Sequence, residues 1–164
     1  MQQRFRGIRI VKKHQWHFDH DAQTIFLLLC PTKELDWIEE WDALHTLIYS
    51  ESGIAEDACV FTSDIPGEGE AVWIAGKYSL EDRHVTYIKF LKENDTVIRW
   101  EMTAIPEGAH GCRVDITYAL TGLSLKGNRF AAEFGQNGFP YLVNQIEKLI
   151  HHYLATGGKM KFLA

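Results

Sequence analysis

The chain has 164 residues, of which 46% are hydrophobic and 24% are charged, and its formal net charge is -5. We expect one domain, spanning residues 1–164, with a substantial apolar core. The acidic balance argues against nucleic acid as a partner, because affinity for phosphate groups depends on Lys and Arg. No stretch approaches the roughly 18 consecutive apolar residues of a membrane span, and no signal peptide is apparent, so we expect a cytoplasmic protein without membrane insertion.

In chain order, the first predicted element is a strand from about Gly7 to Asp19, where apolar and polar residues alternate. Two short helices are predicted next, AQTIFLLLC at residues 22–30 and KELDWIEEWDA at residues 33–43. Pro31 separates them, because proline interrupts a continuing helix.

Six strands are predicted after these helices, joined by short turns rich in Gly, Pro, Asn and Asp. Short connections favour an antiparallel meander. In the last two strands clean alternation indicates one covered face and one face toward solvent. Around Trp73 and Tyr87 both faces are partly apolar, which suits contact with a second copy of the chain in a homodimer. The predicted strands are Ala43–Ser50, Ala58–Ser63, Glu70–Leu80, His84–Lys92, Thr96–Ala104 and His110–Leu123.

A long amphipathic helix is predicted from Asn137 to Gly158, because apolar residues recur there at intervals of three and four. Pro140 fits its first turn, and Gly157-Gly158 can end it in a left-handed conformation. The preceding stretch, Leu123–Gly138, suggests a helical turn followed by a break. The order of elements indicates an α+β fold in which the long helix crosses a curved antiparallel sheet.

Several motifs accompany this order of elements. They are Glu34, Trp37 and Trp41 in the helix after Cys30-Pro31, then Trp73 with Lys77-Tyr78, and Gly127-Asn128-Arg129-Phe130. With them, nearly the whole chain resembles the helix-grip fold of the START-like (SRPBCC) superfamily, in particular one bacterial branch. This superfamily includes pollen-allergen-like binding proteins, lipid-transfer domains, polyketide cyclases and dehydrases, and activators of heat-shock chaperones. The resemblance implies a seven-stranded antiparallel curved sheet, two short helices after the first strand, and a long C-terminal helix across the sheet.

A concave space between such a sheet and its helix is the default place for a ligand. The resemblance implies that a small hydrophobic or aromatic molecule binds there. Two alternatives stay open: a cyclase- or dehydrase-like enzyme acting on a polyketide-type or aromatic substrate, and a protein-interaction module of the chaperone-activator type. No motif in the sequence is diagnostic of a reaction, and one fold hosts many functions.

Aromatic residues on the inward faces can form a flat-walled pocket suited to a planar ligand, or they can simply fill the core. His45 is a candidate base at neutral pH, although the alternation from Leu44 to Tyr49 does not fix which side of that strand faces inward. Glu34 or Asp36 is a candidate for the mouth of the cavity. The predicted lining residues are Trp41, His45, Tyr49, Trp73, Trp100, Tyr118, Phe134 and Tyr141.

The densest polar cluster, from His14 to Asp21, does not predict a metal site. On a strand, His14 and His20 point away from His17 and Asp19, so their side chains do not converge. No HExxH motif, nucleophile elbow or dinucleotide-binding loop is present in the sequence. We therefore expect neither a metal nor a cofactor.

The three cysteines are Cys30, Cys59 and Cys112, and none belongs to a CxxC pair of the kind found in redox and zinc sites. Cys59 and Cys112 lie within strand-like patterns, which indicates buried thiols. We expect all three to be reduced in the cytoplasm.

Overall fold

A computed structural model describes residues 5–163 of the chain. It has an α+β architecture in which one large antiparallel sheet packs against helices. The strands are β1 Arg9–Phe18, β2 Ile38–Glu39, β3 His45–Tyr49, β4 Val60–Ile65, β5 Gly69–Ser79, β6 His84–Leu91, β7 Thr96–Glu107, β8 Gly111–Gly122 and β9 Met160–Lys161. The α-helices are α1 Ala22–Leu28, α2 Trp41–Leu44, α3 Leu125–Glu133 and α4 Phe139–Thr156.

Seven strands form the main sheet in the order β1-β8-β7-β6-β5-β4-β3, and every neighbouring pair is antiparallel. From β3 to β8 each strand pairs with the next in sequence; short turns connect β4 to β8, and a longer loop, residues 50–59, connects β3 to β4. β1 returns to the far edge and pairs with β8. The predicted α+β fold, with its seven-stranded sheet and long helix, is confirmed.

The second predicted helix forms only in part. A 3₁₀ turn covers Glu34–Asp36, and the four-residue α2 follows after the short strand β2. Glu40 adopts a left-handed backbone conformation, with φ of 60°, which interrupts the helix. The reason is tertiary pairing, since β2 forms a parallel ladder with β9. The helical pattern of residues 33–43 does not reveal this distant partner.

The helix at the other end of the chain is longer than predicted. α3 continues through a π-helical turn, Phe134–Gly138, directly into α4. In place of the predicted break, the helix is locally widened by this π-helical turn and is not interrupted. Gly138 is needed there because a Cβ atom on it would lie 2.4 Å from the Phe134 ring. Pro140 lies in the first turn of α4, and Gly157 ends that helix with φ of 69°, both as predicted.

The inward faces of β7 and β8 follow the predicted alternation. Ile98, Trp100 and Met102 are buried on β7, and Tyr118 and Leu120 are buried on β8. These side chains form the concave side of the sheet, which faces the helices. Among residues 5–163, no helix is long and apolar enough to cross a membrane.

The outer face of the sheet carries an unusual apolar patch. Antiparallel sheets usually present polar side chains on the face that contacts water. Here strand register aligns apolar residues in two neighbouring rows, and Ile74 keeps 45% of its surface exposed. The outer apolar patch consists of Tyr49, Val60, Ile74, Ile88, Val72, Phe90 and Val97.

Candidate functional site

A lysine lies at the centre of the concave side. Alternation along β6 places Val85, Tyr87, Lys89 and Leu91 on the buried face, and Lys89 has no exposed surface. Its register neighbours are Trp73 on β5 and Ile98 on β7. A buried ammonium group needs a partner, because removing a charge from water is costly.

Glu68 supplies that partner from the turn between β4 and β5. Its side chain is only 2% exposed, and one carboxylate oxygen, Oε2, accepts a hydrogen bond from Lys89 Nζ. The other, Oε1, accepts from the Tyr118 hydroxyl at 3.0 Å. The turn is held in place where the Asn94 side-chain amide donates to the Glu68 carbonyl oxygen at 3.1 Å. Lys89, Glu68 and Tyr118 thus form one buried polar network.

Aromatic rings surround the ammonium group of this network. Lys89 Nζ lies 4.3 Å from the ring centre of Trp73, 5.5 Å from that of Trp100 and 5.6 Å from that of Tyr118. Cation–π contacts of this kind stabilise a desolvated cation by about 2 kcal/mol in favourable cases. Burial nevertheless lowers the pKa of Lys89, while the charge of Glu68 opposes that shift.

Glu34 is a second acidic group that interacts with Lys89. It lies in the 3₁₀ turn after α1, and part of its surface remains accessible. Protein atoms crowd the carboxyl enough that burial raises its pKa to about 8, although the charge of Lys89 acts in the opposite direction. At pH 7 Glu34 is therefore mostly protonated, and it can donate a proton.

Three buried polar atoms on the concave side have no hydrogen-bond partner within residues 5–163: His14 Nε2, His45 Nε2 and Trp100 Nε1. His45 stacks on Trp41 with ring centres 5.4 Å apart and lies 4.9 Å from the Phe61 ring. Burial lowers the pKa of His45 to about 4, so its imidazole is neutral at pH 7. Buried polar groups are normally paired, so such atoms point to a bound molecule or water.

A pocket of about 130 Å³ opens beside the network. Glu68 lines it from the sheet side, and Phe134, Tyr141 and Leu142 line it from the helix side. Phe162, from the segment after α4, completes its wall. A cavity of about 150 Å³ is known to hold one benzene molecule, so this pocket has room for roughly one ring.

The predicted lining residues occupy three places. Trp73, Trp100 and Tyr118 surround Lys89. Phe134 and Tyr141 border the pocket, and the Tyr141 hydroxyl donates to the Leu163 carbonyl oxygen. Trp41 and His45 lie together toward the β3 edge of the sheet.

Tyr49 differs from the other predicted lining residues, since 59% of its surface is exposed. The register of β3 against β4 shifts between Leu47 and Tyr49. This irregularity places Tyr49 opposite Val60, at the outer apolar patch, rather than on the concave side.

Lys89 and Glu68 are not among the residues predicted to line the cavity. In HVTYIKFL both alternating sets contain large apolar residues, so the inward side of β6 is ambiguous. Glu68 lies in a Gly-rich hairpin turn, where a charged residue is ordinarily solvated. A usable signal was the set Val85, Tyr87 and Leu91, whose spacing puts Lys89 on the same face.

The polar cluster near β1 does not converge. His14 lies on the side of β1 that is partly buried, whereas His17 is exposed and its Nδ1 lies 3.0 Å from Glu107. In the described part of the chain, no group of three or more His, Cys, Asp or Glu side chains is arranged to hold a metal ion. All three cysteines are buried and free.

No family model and no curated protein matches this sequence. Solved structures do match. Norcoclaurine synthase from Thalictrum flavum, in complex with dopamine and hydroxybenzaldehyde, has a TM-score of 0.61 and 13% identity, covering 90% of this chain and 89% of that one. The Zhui aromatase/cyclase from Streptomyces sp. R1128 has a TM-score of 0.65 and 10% identity, covering 93% and 100%. A hypothetical protein from Helicobacter pylori has a TM-score of 0.65 and 9% identity, covering 91% and 88%.

At these identities the likeness shows the fold. The predicted helix-grip fold, a curved antiparallel sheet crossed by a long C-terminal helix, is therefore confirmed.

Proposed function

We propose that this protein binds a small aromatic or hydrophobic molecule between the sheet and α4, in the cytoplasm. The observation that carries the proposal is the buried network of Lys89, Glu68 and Tyr118, set among aromatic rings beside a pocket. Natural cores rarely contain a lysine unless it is paired or functional. Apolar walls with a few convergent polar groups are typical of small-molecule sites.

The polar groups indicate what the ligand carries. Lys89 has three N–H donors, and one of them is directed to Glu68. The Trp100 indole N–H is buried and lacks an acceptor in the described chain. Both groups need an acceptor, so we propose a planar molecule with a carbonyl or similar oxygen. The aromatic molecules bound to norcoclaurine synthase are consistent with this, although the shared identity is only 13%.

Matched probes test the proposal. We expect acetophenone to bind about five-fold more tightly than ethylbenzene, which has the same ring but no oxygen, because one hydrogen bond contributes about 1 kcal/mol. Binding is measured by the shift in melting temperature and by native mass spectrometry before and after organic extraction. Lys89→Met/Glu68→Met is expected to lose the preference for acetophenone. Absence of any extractable mass, together with no stabilisation by either probe, contradicts the proposal.

A cyclase- or dehydrase-like enzyme is the second candidate, and Glu34 favours it. A carboxyl whose pKa is about 8 can donate a proton near neutral pH, and Lys89, whose pKa is lowered by burial, lies within its electrostatic range. These groups suit proton transfer to and from a carbonyl compound of polyketide type. Binding of acetophenone without deuterium exchange at its methyl group in D2O favours the binding module instead.

The protein-interaction alternative rests on a different surface. An apolar groove of about 460 Å³ lies outside the sheet–α4 interior. Leu27, Ile54 and Leu80 line it and are largely exposed. A protein that holds no extractable molecule and responds to neither probe would move the assignment to this interaction role.

The outer apolar patch supports a homodimer. We expect the protein to have the mass of a dimer in light scattering after size-exclusion chromatography. Ile74→Lys is expected to give a folded monomer, because it places a charge at the centre of the patch. Thr117→Lys, on β8 and on the same outer face of the sheet but outside the patch, serves as the matched control and should leave the dimer intact. A monomeric wild-type protein contradicts this prediction.

A further inference from the structure

The segment after α4 turns back and forms part of the wall of the pocket. Gly157 reverses the chain with a left-handed conformation, and β9 then pairs with β2. Phe162, immediately after β9, is only 8% exposed and lines the same pocket as Glu68. The Phe162 ring thus occupies space that a molecule approaching the buried network would cross.

The contacts that hold this segment are few and mostly exposed. The Met160 amide donates to the Trp37 carbonyl oxygen at 3.2 Å. Lys161 Nζ lies 2.9 Å from Glu40 Oε2, and both side chains are well exposed, so this ion pair contributes at most about 1 kcal/mol. The Tyr141 hydroxyl donates to the Leu163 carbonyl at 3.2 Å. Segments with few buried contacts open locally at low free energy.

Phe162 differs from its neighbours in burial. Met160 and Leu163 are exposed, whereas the Phe162 side chain is inserted between the sheet turn and the helix. It is the buried apolar anchor of an otherwise loosely attached segment. Its removal enlarges the pocket on the side that faces α4.

We infer that residues 159–163 form a gate over the ligand site and that Phe162 sets the size of the molecule that enters. The ligand part of this inference rests on the proposed function. In the closed arrangement the pocket has room for roughly one ring, by comparison with the cavity that holds benzene. A larger molecule enters only when Phe162 swings out or is replaced by a small residue.

The gate can be tested without a ligand through the Trp100 indole N–H. This proton is buried and has no acceptor in the described chain, so its exchange with water is limited by access rather than by a hydrogen bond. We expect Phe162→Ala to accelerate exchange of the Trp100 indole proton with water by about ten-fold or more, because the opened pocket admits water. NMR measures the exchange rate. The indole N–H groups of Trp16 and Trp37, bonded to carbonyl oxygens at 3.0 Å, should not change.

Leu163→Ala is the matched control, since it shortens an exposed side chain in the same segment. It should leave all three indole exchange rates unchanged. Equal acceleration at Trp16, Trp37 and Trp100 in Phe162→Ala would indicate general destabilisation and overturn the gate. An unchanged rate at Trp100 overturns it as well.

A second measurement tests size selection. We expect Phe162→Ala to bind 2-acetonaphthone, which has two rings, about ten-fold more tightly than the wild type, while acetophenone affinity changes by less than about three-fold. Identical affinities for 2-acetonaphthone overturn the assignment of Phe162 as the size limit. If no variant binds either probe but Trp100 exchange accelerates selectively, the proposed function fails and the gate stands.

Discussion

Lys89→Met is expected to lower the free energy of unfolding by about 3–5 kcal/mol, because it leaves the buried Glu68 carboxylate without its partner. Glu68 is 2% exposed, and only the Tyr118 hydroxyl would continue to donate to its carboxylate. Glu68→Gln is expected to destabilise in the same direction, since Lys89 would then be a buried cation without a counter-charge. Urea unfolding at pH 7 measures both effects.

The double variant Lys89→Met/Glu68→Met separates stability from function. Replacing a buried ion pair with apolar residues of similar volume is often neutral or stabilising by about 1–4 kcal/mol. We therefore expect the double variant to recover most of the stability lost in either single variant. It should fold and still lose its preference for acetophenone over ethylbenzene. This outcome would show that the network serves binding rather than folding.

The chain provides a matched control on its surface. Lys92 Nζ lies 3.5 Å from Glu70 Oε2, and the two side chains are 54% and 62% exposed. Glu70 is on β5, and Lys92 directly follows β6. Glu70→Gln should change the free energy of unfolding by less than about 1 kcal/mol, because water screens exposed pairs. If Lys89→Met lowers the free energy of unfolding by no more than Glu70→Gln does, the prediction that breaking the buried ion pair strongly destabilises the protein is wrong.

The difference between predictable and unpredictable parts of this protein is clear in neighbouring strands. On β7 and β8 one alternating set is almost entirely apolar and the other mostly polar, so hydrophobic burial determines which side chains face inward. β6 lacks that contrast, because Ile88 and Phe90 compete with Tyr87 and Leu91 for the interior. The orientation of Lys89 is then decided by Glu68, from another part of the chain.

The candidate site depends on contacts between distant segments, which local patterns do not encode. Glu68 enters the interior from a hairpin turn whose composition is typical of solvent-exposed loops. Phe162 reaches the pocket only because β9 pairs with β2, more than a hundred residues away in sequence. Trp100 and Tyr118 were predictable as inward residues, since strand alternation is local, whereas the two apolar faces of β5 left the side of Trp73 open. Their roles around a buried cation were not predictable.

Glu34 provides the second large effect, a dependence of stability on pH. Its pKa is raised from the ordinary value of 4.5 to about 8 because burial disfavours the charged carboxylate. Between about pH 4.5 and pH 8 the folded protein therefore binds more protons than the unfolded chain. The contribution of Glu34 to the free energy of unfolding therefore falls as pH rises through this window and levels off above pH 8. Each unit of pKa shift corresponds to about 1.4 kcal/mol, so the total loss is a few kcal/mol.

Glu34→Gln, which resembles the neutral acid, should remove this loss. His45 acts in the opposite direction, because its pKa is lowered to about 4 and stability is lost as pH falls below about 6.5. The His45 contribution is present in both proteins and cancels in the difference between wild type and Glu34→Gln. We expect that difference, from urea unfolding at pH 5 to 9, to grow in favour of the variant up to about pH 8.

Glu39→Gln is the control, because Glu39 is exposed and lies on β2, close to Glu34 in the chain. Its unfolding profile should run parallel to that of the wild type. A parallel profile for Glu34→Gln as well would mean that the Glu34 carboxyl is ionised in the folded protein near pH 7. Glu34 would then be unable to act as a proton donor there, and the enzymatic alternative would lose its main support, whereas binding through Lys89 and Trp100 would be unaffected.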